Sequence, residues 1–289
     1  ETSPAKSETP VVWAVDHGSD DITRLMRTVI AKKFNDEFAQ NAEPGEVATF
    51  LDGRTESSNG TNSKLTSALE SKNPAFILSS SHGSTAPLNN PQQMLANLGL
   101  LRDQQFQLLR GEQLTSSWSP GGAIWYAHAC CSAGSDALSS YSKLFAETDS
   151  VGKILRGVAG LGSHISPFPN FLLGQRAPLR AFIGQVEPTF NLTLKDEETK
   201  QHLTKQLIGA LYNGLFSGQT VGHAFDQWHK LAGIHYGKWN QLTKELDGGA
   251  SVSEKDLLYT RIRASDVEST VILGDPTVKL PPLASAAAN

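Results

Sequence analysis

At 289 residues the chain is long enough for one large α/β domain or two small ones, with a substantial buried core. Its formal net charge is −4, with 19% charged and 39% hydrophobic residues, and no Lys/Arg run of the kind that tracks phosphates occurs, which argues against nucleic acid as the main ligand. No apolar run approaches the roughly 20 residues of a membrane-spanning helix. The only two cysteines, Cys130 and Cys131, are adjacent, so no disulfide ties distant segments together, and a reducing, cytoplasmic setting is the weak expectation. The sequons at Asn59 and Asn191 matter only in a glycosylating pathway.

The polar head, residues 1–10, is expected to be a flexible segment, and the Ala-rich residues 282–289 a flexible tail. Between them, residues 11–281 read as one domain. Val11 to Val15 is a short apolar run of the buried-strand kind, closed by the turn-prone Asp16-His17-Gly18-Ser19. Asp20 or Asp21 then caps a helix whose stripe is Leu25, Met26, Val29, Ile30 and Phe34. Val47 to Leu51 reads as a second strand, Asp52 to Asn62 as a loop, and Lys64 to Ser71 as a helix turning Leu65, Ala68 and Leu69 inward.

Ala75 to Leu78 is the next buried strand, and it runs directly into Ser79-Ser80-Ser81-His82-Gly83. The leucine-rich stretch from Gln92 to Leu114 fits either a helix or a hairpin. After Gly121-Gly122, Ala123 to Ala127 forms a strand that ends at His128-Ala129-Cys130-Cys131-Ser132-Ala133-Gly134. A helix over about Ala137 to Phe145 and a fifth strand within Gly157 to Ile165 are expected next. Thr199 to Phe216 carries Leu203, Leu207, Leu211 and Leu215 at helical spacing, Val221 to Leu231 is a further helix, and Val271 to Leu273 a last strand. Strands alternating with helices imply a mainly parallel sheet covered on both faces, a three-layer αβα sandwich.

Open α/β sheets gather reacting groups beyond the carboxyl ends of their strands. Two expected strands end in chemically potent residues, one in His82 followed by Gly83, the other in the cysteine pair. A thiol nucleophile needs a nearby imidazole to form thiolate and then to protonate the leaving amine. A glycine after the histidine leaves its N–H unobstructed, so that this N–H and that of Cys131 form an oxyanion hole.

Ser80-Ser81-His82-Gly83-Ser84 resembles the His-Gly loop of clan CD cysteine peptidases, the group of caspases, metacaspases, gingipains, separases and bacterial CHAT domains. Cys131-Ser132-Ala133-Gly134 is similar to their cysteine loop. Two further stretches, Ser217 to Phe225 and Val271 to Leu280, are similar to the CHAT and gingipain pattern. The resemblance implies a caspase-like fold and a cysteine endopeptidase acting on protein or peptide substrates through an acyl-enzyme. It implies His82 as acid–base, Cys131 as nucleophile, Gly83 and Cys131 amides at the oxyanion, no metal and no cofactor, and activation by a regulatory protein partner or by release from a longer polypeptide. Cys130 is the less favoured nucleophile, since its distance to Gly134 is one residue too long for the pattern.

The remaining readings stay open at this level. His128 is expected to be structural, and a zinc site from His128, Cys130 and Cys131 lacks a fourth ligand at usual spacing. Relatives that cut after Arg or Lys often carry an acid two positions before the nucleophile, where this chain has Ala129; Asp16, at the end of the first strand, is the substitute carboxylate for a substrate pocket, or else a turn residue. Asp275 before Pro276 is read as a turn former. Trp118, Trp228 and Trp239 fit core or cleft equally well. The alternatives to a peptidase are a catalytically silent caspase-like binding module and a cysteine hydrolase acting on non-peptide substrates.

Overall fold

The computed structural model describes residues 4–146 and 148–283. A six-stranded sheet runs through the centre, built from β1 (Val11–Ala14), β2 (Thr49–Asp52), β3 (Phe76–Ser80), β4 (Ile124–His128), a strand we call β7 (Ala181–Gln185) and β8 (Thr270–Gly274), with β5 (Gly134–Ser135) and β6 (His164–Ile165) forming a separate antiparallel pair. The order across the sheet is β2-β1-β3-β4-β7-β8, all parallel except β8, which runs antiparallel to β7 at one edge.

Period-two alternation explains why the central strands are buried on both sides. Val12, Ala14, Phe76, Leu78, Ile124, Tyr126 and Ile183 face one apolar layer, together with Phe34, Phe38, Leu207, Leu211 and Phe225 from helices. Val11, Trp13, Ile77, Trp125, Ala127 and Phe182 face the other, against Leu65, Leu69, Leu114 and Phe168. Each such large side chain, fully withdrawn from water, contributes roughly 1.5–3 kcal/mol, so the sheet is the rigid base on which the strand ends are held.

Helices follow the strands on both faces. α1 (Ile22–Met26) is capped by Asp21, whose carboxylate accepts from the Thr23 N–H; it passes through a π-helical turn, Arg27–Ala31, into α2 (Lys32–Asn41). Within that turn Arg27 reaches Asp52 at the end of β2 in a buried, two-pronged ion pair. α3 (Asn62–Lys72) ends on Asn73 in the left-handed conformation. The undecided Gln92 to Leu114 stretch contains both expected forms, α4 (Pro91–Asn97) and α5 (Gly111–Thr115), separated by a hairpin-like turn in which Arg102 bridges Leu108.

Several expectations are corrected. Residues 137–145 form turns rather than a helix, because short polar side chains take over the backbone: Asp136 Oδ1 accepts from Leu138 N, and Ser139 Oγ from Tyr141 N. The expected strand in Gly157 to Ile165 is mostly helix, α6 (Ser150–Ala159), since Val151, Leu155 and Val158 recur at helical spacing; only His164 and Ile165 are extended. After α7 (Pro167–Leu173), the helix expected from Thr199 begins at Lys205, because Asp196 folds the preceding residues into a turn by accepting from the Glu198 and Thr199 amides. It comprises α8 (Lys205–Ile208), a π-helical turn to Gly214 and a last turn to Ser217. α9 (Val221–Ala224) and α10 (Asp226–Asp247) occupy the next expected helix and run well past it, and α11 (Glu254–Glu268), unforeseen, packs along α10. Trp118 and Trp228 are core residues, and Trp239 lies under the Arg261 guanidinium between these last two helices.

Part of the head is tied to the fold. Lys6 exchanges backbone hydrogen bonds with Asn73 and Ala75, and buried Ser7 donates to the Pro281 carbonyl; residues 1–3 and 284–289, for which flexibility is expected from the sequence, lie outside the described residues. Among the described residues no helix is long and apolar enough to cross a membrane.

Candidate active site

The register of the two central strands decides what meets what. Ser80 of β3 pairs with His128 of β4, so His82 and Cys130 each lie two residues beyond the same rung of the sheet, and Cys131 lies one residue further on. The chain after β3 passes so close to the cysteine loop that a Cβ on Gly83 would sit 1.9 Å from the Cys130 carbonyl oxygen. Gly83 is therefore demanded by a close approach of two backbones. Its flanks are held by Arg102 N–H to His82 O and Ser84 N–H to Leu100 O, both 2.9 Å. Among the described residues the Gly83 N–H itself has no acceptor.

His82 is half-buried, and its Nε2 lies 2.8 Å from Asp21 Oδ2. The other oxygen of that carboxylate accepts from the Thr23 amide at 2.8 Å and hydroxyl at 2.5 Å. Burial alone would raise the Asp21 carboxyl, but the Thr23 and His82 hydrogen bonds outweigh it and leave its pKa below the ordinary value, so it stays an anion beside the imidazole. Sequence reasoning saw Asp21 only as a cap. The signal was present: it follows β1, the neighbour of β3, on the sheet edge for which Asp16 was singled out.

Asp16 itself is engaged. Its side chain is 1% exposed, Arg24 Nε lies 3.1 Å from both carboxylate oxygens, and Arg54 adds a second cation at 4.0 Å. The carboxylate also accepts from the Gly18 amide at 3.0 Å, the turn role that is the alternative expectation, and with both oxygens facing Arg24 it is engaged within its own chain rather than open to a basic substrate side chain. Asp275 accepts from the amide and hydroxyl of Thr277, the turn former expected.

The two cysteines differ sharply. Cys131 has φ +54°, and its side chain is fully buried in a small cluster with Met94, Leu98 and Val158. A non-glycine residue in that left-handed region costs about 1–2 kcal/mol, and the surrounding hydrogen bonds hold it there. Burial, with the charge of Glu187 beside it, pushes its thiol well above the ordinary value. Cys130 is half-buried and directs its Sγ to the Thr189 carbonyl at 3.8 Å; burial pushes this thiol up to about 11. Cys130 is thus the less buried residue of the pair, against the sequence preference for Cys131, and burial keeps both thiols protonated at neutral pH.

The segment that follows β7 explains why. It extends past the sheet and lies against the cysteine loop: Ala133 N–H donates to Gln185 O at 2.9 Å and Cys131 N–H to Glu187 O at 3.0 Å. The Glu187 carboxylate is tied in turn to the Ser139 hydroxyl at 2.9 Å and the Ser140 amide at 2.7 Å. The Cys131 amide, expected at an oxyanion hole, is therefore occupied by the Glu187 carbonyl. Beneath this segment Asp266 is buried, bonded by Tyr141 and Thr193 hydroxyls, and desolvation raises it to about 6.

His128 lies in the sheet interior and accepts from the Tyr126 hydroxyl at 2.8 Å; burial lowers it to about 4, so it is neutral. Among the described residues the only group of three or more potential metal ligands is His17, Asp21 and His82, with one ligand atom of each within 4.8 Å of the others; His128 and the cysteines do not form one. A cavity of about 760 Å³ lies at the opposite end of β4, lined by Trp118, Pro120 and Arg176. A smaller hollow of about 270 Å³ follows the cysteine loop, lined by Leu138, Tyr141, Phe145 and Leu155.

No family model, no curated protein and no solved structure matches the chain.

Proposed function

We propose that the chain is a cysteine peptidase of the clan CD kind in a latent state, with Cys130 rather than Cys131 as nucleophile. The observation that carries this reading is the shared register: an imidazole, braced by the Asp21 carboxylate, and the Cys130 thiol extend equally far from adjacent parallel strands. In the open enzyme the Cys130 thiolate adds to a peptide carbonyl carbon, and the π pair moves onto oxygen, held by the Gly83 N–H. The intermediate collapses, and the departing amine takes its proton from the His82 imidazolium, which Asp21 stabilises. Water, giving its proton to His82, then adds to the thioester and expels Cys130. None of these steps uses a metal.

Opening means withdrawing the segment 186–190. That frees the Cys131 N–H as a second oxyanion donor and releases the Cys130 thiol from Thr189, which fits activation by a protein partner or by proteolysis. The hollow lined by Leu138, Tyr141 and Phe145 favours an apolar side chain in the substrate over a basic one. The occupied amide and raised thiols also support a second reading, a catalytically silent binding module.

An activity-based acyl electrophile and a fluorogenic peptide library, with single variants, separate these readings. Cys130→Ala and His82→Ala are expected to abolish labelling and cleavage, while Cys131→Ala retains both. Loss in Cys131→Ala with retention in Cys130→Ala returns the nucleophile to Cys131; absence of labelling in every form, including chain nicked by limited proteolysis, favours the silent module.

A further inference from the structure

The loop after β1 and the loop after β3 bring together a second constellation. His17 and His82 stack with ring centroids 5.4 Å apart and planes 6° from parallel, and Asp21 lies against both. The His17 ring is anchored on two sides: Nε2 faces the Asp103 carbonyl at 3.0 Å, and Phe106 stacks on it with centroids 3.9 Å apart. The carbonyl selects the tautomer with its proton on Nε2, which leaves the Nδ1 lone pair buried and without a partner among the described residues. An unsatisfied buried acceptor calls for an explanation. An imidazole held through one nitrogen by a backbone carbonyl, with the other nitrogen bare, is the arrangement that supports a metal ligand.

The geometry points to a divalent transition-ion site, of the zinc class, formed by His17, Asp21 and His82. Two imidazoles and a carboxylate are the donor set that suits such ions. One ligand atom of each lies within 4.8 Å of the others, whereas ligands around tetrahedral zinc stand about 3.3 Å apart, given bonds near 2.0–2.1 Å. Side-chain rotations are required: the two rings, now parallel within 6°, turn so that their in-plane lone pairs meet at the ion, the His82–Asp21 contact, now 2.8 Å, opens to admit it, and His17 moves in. Asp21 keeps one oxygen on the Thr23 donors and offers the other. All three residues are half-buried, so a fourth position remains open to water. The backbone supports do not have to move, since the His17 N–H is held by the Thr23 hydroxyl and the His82 carbonyl by Arg102.

The consequence for activity rests on the peptidase reading: an ion on His82 Nε2 takes the nitrogen that faces Asp21, separates the imidazole from its carboxylate, and by its own charge disfavours the imidazolium that the acid step needs. The site would act as a metal-operated off switch, distinct from the segment over the cysteines.

Binding is tested without activity. Cobalt(II), as a spectroscopic stand-in for zinc, is titrated into the full chain and followed by its visible absorption, with zinc competition by calorimetry. One ion per chain with a nitrogen and oxygen ligand spectrum is expected, weakened by about 100-fold or more in His17→Gln and in Asp21→Asn, more than the 10–100-fold typical of supporting residues. Asn still caps α1, and thermal melting verifies that both variants fold. No saturable binding, equal binding by the variants, or a sulfur-to-cobalt charge-transfer band that vanishes in Cys130→Ser would overturn the site. Peptide cleavage in chelator and in zinc then separates the two proposals: binding without cleavage in any condition leaves the site and removes the peptidase, whereas cleavage that bound zinc does not slow removes the switch.

Discussion

The reactivity of Cys130 is the sharpest measure of whether the site is closed. Burial, with a smaller contribution from Asp266, moves this thiol from 9.0 to about 11. A shift of two units removes about 100-fold of the thiolate present at neutral pH. Intrinsic nucleophilicity grows with thiol basicity with a Brønsted slope of about 0.4–0.5, which returns roughly tenfold. Alkylation by iodoacetamide is therefore expected to run about tenfold slower than at an unperturbed thiol, before any shielding by Thr189, and its rate to climb about tenfold per pH unit across the neutral range. The assay is a pH series on the Cys131→Ala chain, with alkylated peptide quantified by mass spectrometry; Cys130→Ala reports Cys131, expected to be slower still. A rate already on a plateau below about pH 8 would mean a thiolate paired with an imidazolium, an assembled dyad, and the latent reading would be wrong.

Other substitutions probe the supports. Asp21→Asn preserves the cap on α1 but removes the charge facing His82, and activated chain is expected to lose at least about tenfold in kcat, out of the roughly 10²–10⁴ that general acid–base catalysis supplies; an unchanged kcat would leave Asp21 only its capping role. Asp52 is lowered from 3.8 to about 2 against burial by its hydrogen bonds to Arg27 and Thr55, so its contribution, about 2 kcal/mol, is present above the unfolded pKa and is lost as pH falls toward 2. Asp52→Asn strands a buried guanidinium and is expected to cost about 3–5 kcal/mol in urea unfolding; a cost under about 1 kcal/mol contradicts the pairing. Asp266 works the other way. Its folded pKa of about 6 lies above 3.8, so the folded chain holds a proton that the unfolded chain releases, and stability falls as pH rises through that window, by up to about 3 kcal/mol. The stability of the protein relative to Asp266→Asn is expected to improve on acidification from neutral pH, and a difference that does not vary with pH refutes the burial of that charge.

Much of the scaffold was legible because its signals are local. Val11 to Val15, Ala75 to Leu78 and Ala123 to Ala127 are unbroken apolar runs closed by turn residues, and each became a strand buried on both faces. β7 was missed although Ala181-Phe182-Ile183 is equally apolar: it lies between Pro178 and the polar Gln185, and nothing local says that it pairs with β4. The helix expected over Ala137 to Phe145 failed because Asp136 and Ser139 satisfy backbone donors without helix, a competition that composition does not reveal. At the site, strand ends located His82 and the cysteine pair, but choosing between adjacent thiols depended on register, and the loss of Asp16 to Arg24 and Arg54 depended on a helix and a loop folding back over it.

The missed strand is also the one that bears on control. With β7 absent, the cysteine loop would stand open at the edge of β4, and the Cys131 amide would face solvent. With β7 present, its extension supplies carbonyls at positions 185, 187 and 189 that take in turn the Ala133 amide, the Cys131 amide and the Cys130 thiol, a strand-like alternation of period two. One element therefore both completes the parallel sheet beside the cysteine loop and holds the chemical groups of the candidate site in use elsewhere. Because these are backbone acceptors, few side-chain substitutions remove them singly; the segment's own side-chain anchors are Glu187, tied to Ser139 and Ser140, and Phe190, packed on Tyr141 and Phe145. A partner that competes for the Glu187 carboxylate, or a cut within the segment, would release amide and thiol together, and under the proposed peptidase function that release is the activating step.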